Sequence, residues 1–254
     1  MAMALDILFS LCVYLLFTQG AQGNIDFAII KTIIDGTVHR GAEAEISIHD
    51  LKLQNNQYSK SQIWLENGST GNLNSIQAGW AVHPRLYGDS VTRLTIYWTG
   101  DGYRKTGCYN TQCPGFVVVS QKLFLGKGFW GSSIYGETSL TFNIQVNQDP
   151  NSGNWVLQIS NEVIGYWPKE LFTYLNKGAS LVSYGGNTYL SPDGISTPMG
   201  NGHFPVADFK KTAYFKNIVT RMDRCDGSYS PLNSGSSFSD QPPTKMAPPF
   251  PVCS

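Results

Sequence analysis

The sequence predicts an all-β protein: an antiparallel β-sandwich of two sheets with one short helix. Three observations predict it. Short runs alternate apolar and polar residues with a period of two, as half-buried strands do. Aromatic residues make up 13% of the chain and 26 residues are Gly, a composition of strands joined by tight turns. At least nine such runs occur, with no internal repeat and a single helical pattern. A chain of 254 residues that is 41% hydrophobic builds one large core of this class.

In chain order, residues 4–17 form an apolar run too short to span a bilayer, followed by small residues at Ala21 and Gly23. Residues 1–23 therefore read as a signal peptide and residues 24–254 as the mature domain, secreted to the extracellular space and free of the membrane once the signal is removed. Residues 24–35 are mostly apolar. Residues 39–53 read as a half-buried strand with Ala44, Ile46 and Ile48 on one face, and residues 54–57 as a turn. Residues 61–65 read as the next strand. Asn67-Gly68-Ser69 follows in a turn and is the sole N-x-[ST] glycosylation site, at Asn67.

Residues 74–83 place Ile76, Ala78, Trp80 and Val82 on one face and Gln77, Gly79, Ala81 and His83 on the other, until Pro84 ends the run. Residues 93–99 read as a strand with Asp101-Gly102 as its turn. Residues 116–125 are strongly β in composition. Residues 139–147 alternate, with Leu140, Phe142, Ile144 and Val146 inward, and return through the turn 149–153 to a strand over 155–159. The helix is predicted over residues 168–177, with Pro168 at its first position and Gly178 at its exit. Residues 181–190 form a strand interrupted by Gly185-Gly186, residues 191–205 a turn-rich loop, and residues 209–219 a last strand region. A Ser/Pro-rich tail begins at 227.

Charge and cysteines narrow the function. Formal net charge is zero and only 14% of residues are charged, so no footprint for nucleic acid appears. Cys12 leaves with the signal. Cys108, Cys113, Cys225 and Cys253 remain, an even number in a secreted chain, which points to two disulfides. Three pairings are possible, and proximity favours Cys108–Cys113 with Cys225–Cys253. Zinc competes weakly through the C-x4-C spacing, but no His lies nearby. No metal site or cofactor is expected.

The usual catalytic signatures are missing: no G-x-S-x-G, no H-E-x-x-H and no phosphate-binding loop occur, and Gly200-Asn201-Gly202 fits no dinucleotide fingerprint. Glu137 and Glu162 form a candidate carboxylate pair of the glycosidase type, with solvated strand-edge residues as the plainer reading. Two positions stand out instead. Gln77 shares a strand face with Gly79, and Asn187 shares one with Gly185. Each sets a polar side chain beside bare backbone that a ligand can approach closely, unless the glycine serves a bulge and the amide a buried neighbour.

The segments SQIW (61–64), NSIQAGW (74–80), LYGD (86–89), YWTGDGY (97–103), TGCYNTQCPGF (106–116), GNW (153–155), IGYWP (164–168) and SYGG (183–186) resemble, in order, the plant neprosin family. The resemblance runs from about Gly41 to Cys253. It implies a secreted glutamic endopeptidase that cleaves around proline at acidic pH, a two-sheet β-sandwich with a groove, and the two disulfides above. It also implies two catalytic glutamates on the groove face, which fall at Gln77 and Asn187. Tyr189 joins Gly79 and Gly185 among the implied groove-lining residues.

Both catalytic positions are amides here, and an amide does not exchange a proton near working pH. Gln77 retains the capacity to donate a hydrogen bond to an oxyanion. Active relatives carry an activation segment ahead of the domain, and only a short stretch separates signal from domain here. That fits either a protein with no activity to restrain or a truncated gene model. The leading expectation is a protein that has lost peptidase activity and binds an extended, proline-containing peptide or a cell-wall ligand. The second is an active peptidase pairing Gln77 with an unassigned carboxylate, Glu137, Glu162 or Asp101. The third is a carbohydrate-binding sandwich using exposed Trp98, Tyr103 and Trp130.

Overall fold

A computed structural model describes residues 25–189, 196–223 and 229–231. Residues 1–23, predicted as a signal peptide, together with Cys225, Cys253 and most of the tail, lie outside the described residues. The strands are β1 (Ile25–Lys31), β2 (His39–Ser47), β3 (Ser59–Asn67), β4 (Asn74–Val82), β5 (Arg93–Thr99), β6 (Cys108–Tyr109), β7 (Val117–Val118), β8 (Thr141–Gln148), β9 (Trp155–Ile159), β10 (Glu162–Trp167), β11 (Leu181–Tyr189), β12 (Phe215–Asp223) and β13 (Tyr229–Pro231). They form two antiparallel sheets. One has the order β1-β11-β3-β4-β5-β6 and the other β13-β12-β2-β8-β9-β10-β7. The predicted β-sandwich is the observed fold.

The core lies between the sheets and follows from the alternation. β2 buries Ala42, Ala44 and Ile46 and turns Glu43 and Glu45 outward, where they pair with Arg221 and Lys216. β3 contributes Ile63 and Leu65, and β4 contributes Ile76, Ala78, Trp80 and Val82, all fully buried. Ile144, Val146, Leu157 and Ile164 answer from the second sheet. Two polar contacts tie the layers together. The Trp80 indole N–H donates to the Ser47 carbonyl at 2.8 Å, and the Tyr184 hydroxyl donates to the Val219 carbonyl at 2.9 Å.

Several predicted elements differ. The helix over 168–177 is replaced by two 3-10 turns, Lys169–Leu171 and Leu175–Lys177, with Phe172 extended between them. The cause is tertiary. Phe172 and Leu175 are both buried, and the Asn74 side-chain carbonyl accepts the N–H of Tyr174 at 2.6 Å and of Leu175 at 3.1 Å. A continuous helix would direct those N–H groups to its own carbonyls four residues back. The α-helix that does form is α1 (Pro84–Tyr87), one turn started by Pro84 and ended at left-handed Gly88.

Residues 116–125 yield only the two-residue β7. The Ser120 hydroxyl accepts from the backbone of Lys122 and Leu123 and turns the chain away. Leu140 precedes β8 and is exposed. The last strand region starts later than predicted, at Phe215, because residues 208–211 close a turn. β1 and β10 were not among the strands read from periodicity.

Asn74 is fully buried, and its amide N–H also donates to the Gly100 carbonyl at 2.8 Å. Asn74→Ala strands these groups and is expected to cost about 2–4 kcal/mol, read as a lower midpoint in urea unfolding with an unchanged slope.

Candidate functional site: the outer face of the six-stranded sheet

The sheet register decides which residues meet. β3 lies between β11 and β4, and Trp64 is level with Gln77 and Ser183, Gln62 with Gly79 and Gly185, and Lys60 with Ala81 and Asn187. The face turned away from the core therefore carries Lys60, Gln62, Trp64 and Glu66 on β3. Ser75, Gln77 and Gly79 stand on β4, and Gly185, Asn187 and Tyr189 on β11. Gln77 and Asn187 share this face, but they are two strands apart and four residues out of step. Two steps of about 7–8 Å separate them, with Gln62 standing at the midpoint. Three primary amides thus form a diagonal stripe, Gln77–Gln62–Asn187.

The stripe is recessed. Gln62 is 0% exposed, Asn187 6% and Gln77 7%, although none faces the second sheet. Aromatic side chains wall it in. Tyr58 stacks on His83 at 5.1 Å and on Tyr189 at 5.7 Å, and Tyr97 packs against Tyr109 at 4.6 Å and Tyr103 at 5.9 Å. The Gln77 amide donates to the Tyr103 hydroxyl at 3.0 Å. Both polar atoms of the Gln62 side chain and the Asn187 carbonyl oxygen have no hydrogen-bond partner. Such groups are rare in folded proteins, and their desolvation is uncompensated until something pairs with them.

Gly79 and Gly185 flank Gln62 for a reason internal to the sheet. A β-carbon on Gly79 would lie 2.1 Å from the Ser61 carbonyl oxygen, and one on Gly185 would lie 2.1 Å from that of Ala28. Gly185 also has a φ of 149°. Gly79 lets β4 close up on β3 and Gly185 lets β11 close up on β1, and the two leave the backbone bare on either side of Gln62.

Two charged residues on this face were missed in the sequence. Lys60 is 4% exposed; its ammonium donates to the Tyr109 hydroxyl at 2.7 Å and lies 4.6 Å from the Tyr58 ring centre and 4.8 Å from that of Tyr109. Burial pulls its pKa from 10.5 to about 7. Burial, with the Lys60 charge second, also holds His83 at about 4. Glu66 sits at the other end, where the Ser75 hydroxyl donates to it at 3.1 Å, and burial raises its pKa. The strand was read over 61–65, so one residue at each end escaped; the same alternation carried one step further reaches both.

The other carboxylates named in the sequence lie elsewhere. Glu137 is in an exposed loop, and Glu162 on the second sheet accepts from Ser120 at 3.0 Å and lies 4.0 Å from Lys122. They do not face each other on paired strands. Asp101 spends its oxygens on the backbone N–H groups of Arg104, Lys105 and Thr106. Trp98, expected to be exposed, is 4% exposed and packs edge-on against Phe172. Trp130 is exposed, and Tyr103 is about half exposed while its hydroxyl accepts from Gln77.

The Cys108–Cys113 disulfide is present and closes the loop that carries Tyr109. The Asn67 side-chain amide donates to the carbonyls of Gly178 at 2.7 Å and Tyr174 at 3.3 Å. Among the described residues no three His, Cys, Asp or Glu side chains gather as a metal site, and no helix is long and apolar enough to cross a membrane.

Fold and site together define a two-sheet antiparallel β-sandwich with an amide-lined, aromatic-walled recess on one outer face. The Neprosin family model matches residues 55–244, and the chain belongs to the Neprosin family. Among solved structures, it is similar to a scytalido-glutamic peptidase with a peptide-based transition-state analogue. The identity is 10% and the TM-score 0.38, over 82% of this chain and 83% of that one. It is also similar to CG-16, a homodimeric agglutinin from chicken liver, at 8% identity and TM-score 0.33, over 65% and 96%. Among curated proteins, a segment matches Multiple organellar RNA editing factor 6, mitochondrial, of Arabidopsis thaliana at 47% identity over 73 residues, 26% of this chain and 32% of that protein. Factor 2, chloroplastic, of the same plant matches at 59% identity over 66 residues, 26% and 29%. The chain spans about a third of the length of these curated relatives.

The Lys60 environment has a measurable consequence. Between about pH 7 and 10.5 the unfolded chain keeps a proton that the folded chain releases, so stability rises with pH across that window and the burial penalty is full below it. Lys60→Met is expected to flatten the rise between about pH 7 and 10 and to stabilise the protein at pH 6 by on the order of a few kcal/mol, measured by urea unfolding.

Proposed function

We propose that this protein is a secreted peptide-binding member of the Neprosin family that has lost peptidase chemistry. The observation that carries the reading is the diagonal stripe Gln77–Gln62–Asn187. The family resemblance puts carboxylates at positions 77 and 187, and both side chains here are amides. Neither can take a proton from water. A primary amide offers paired donors and an acceptor, the same functions that a peptide backbone presents. Three of them, recessed and partly unpaired beside bare glycine backbone, suit an extended chain laid across the strands. The Cys108–Cys113 disulfide supports an oxidising, extracellular setting for the mature protein. A proline-containing segment suits the aromatic walls.

The test is cleavage of proline-containing peptides by the mature protein between roughly pH 3 and 7. No turnover is expected from the wild type, and measurable turnover is expected after Gln77→Glu with Asn187→Glu. Robust wild-type cleavage sinks the reading.

A second reading has one specific observation in its favour. Glu66 lies one diagonal step from Gln77 with its pKa raised by burial, and Ser75, which donates to it, stands level with it on β4. Residual cleavage using Gln77 and Glu66 would be abolished by Glu66→Gln and would follow a single acidic ionisation in its pH profile. A carbohydrate-binding reading keeps Trp130 and Tyr103 but loses Trp98 to the core.

A further inference from the structure

The amide stripe ends beside a buried cation. Lys60 is directly level with Asn187 across the β3–β11 pair. Cross-strand neighbours of this kind bring their β-carbons to about 4.5–5.5 Å, close enough for an ion pair when one of them is a carboxylate. Position 187 carries an amide instead. None of the ion pairs among the described residues involves Lys60. Its ammonium has three N–H donors, and the Tyr109 hydroxyl accepts one of them. The groups packed around it are Tyr58, Tyr97, Tyr109 and His83, all neutral over the ordinary pH range, and Asn187 is its cross-strand neighbour on the β11 side. The Asn187 carbonyl oxygen is itself without a partner.

We propose that Lys60 and Asn187 form a carboxylate-binding subsite at one end of the amide stripe, and that the ligand is an acidic extended peptide whose carboxylate supplies the counter-charge missing at position 187. This deepens the peptide-binding reading and rests on it. The geometry gives the ligand a direction. Its carboxylate lies at the Lys60 end, and its backbone passes Gln62 and Gln77 towards Glu66, whose own carboxyl disfavours a second acidic group there. A carboxylate accepts one or both of the remaining Lys60 donors, and the Asn187 N–H groups add to it as charge-assisted hydrogen bonds in a low-dielectric recess.

The experiment measures fluorescence anisotropy of short labelled peptides on the mature protein at pH 6. Two N-acetylated, C-amidated Ala/Pro/Ser peptides differ only in Glu or Gln at one central position. A third has no acidic side chain but a free C-terminal carboxylate. The Glu peptide, or the peptide with the free terminus, is expected to bind roughly tenfold more tightly than the neutral one, and which of the two gains identifies the source of the carboxylate. The preference is expected to vanish in Lys60→Met. It is also expected to vanish in the isosteric Asn187→Asp, which supplies the counter-charge from within and tests the idea should the Met variant fold poorly. Equal binding of all three peptides overturns the subsite and leaves peptide binding standing. Binding of none of them overturns both. Binding of an oligogalacturonate in place of every peptide overturns the acidic-peptide assignment in favour of a uronic-acid ligand.

Discussion

The close approach of β4 and β11 to their neighbouring strands is the constraint on which the rest of this structure depends. Gly79 and Gly185 leave no room for a β-carbon against the carbonyls of Ser61 and Ala28, so Gly79 holds β4 close to β3 beside Gln62 and Gly185 holds β11 close to β1. Because side chains alternate strictly along a strand, that registration also settles the other face. One face of β3 and β4 closes the core with Ile63, Leu65, Ile76 and Trp80, and the other sets Lys60, Gln62 and Gln77 beside Asn187 of β11. A slip of one residue would exchange the two sets.

The two faces differ in energetic character. The inner face is largely apolar, with Trp80 and Tyr184 each donating across the sandwich to a carbonyl of the opposite sheet, although the indole N–H groups of Trp98 and Trp167 have no partner there. The outer recess holds unpaired amide atoms and an ammonium without a carboxylate, each an uncompensated burden on stability. A fold tolerates such groups when the rest of the core is sound, and they concentrate where a ligand can complete their bonding. The aromatic walls keep the recess at low dielectric, which strengthens any polar contact made inside it.

Much of the fold was legible in the sequence. β5 and β9 have the bounds that alternation predicts, and the inward set of β4 is the predicted one. The misreadings have a common origin in contacts from distant residues. Residues 168–177 have the local marks of a helix, yet Asn74, about a hundred positions earlier, captures the N–H groups of Tyr174 and Leu175. Trp98 reads as an exposed aromatic until Phe172 is packed on it. The edge valines 117–119 have strand composition, but a hydroxyl at Ser120 bends the chain after two paired residues.

The sequence by itself determined that this is a two-sheet β protein of the Neprosin family and that amides stand at positions 77 and 187, because period-two alternation and collinear motifs are local signals. Only the tertiary structure decided how those amides are arranged. Strand pairing sets them two strands apart with Gln62 between, and it brings Lys60 level with Asn187 and Glu66 next to Ser75. Registration between strands more than a hundred residues apart is fixed by core packing, and neither the spacing of Lys60 nor that of Asn187 along the chain records it.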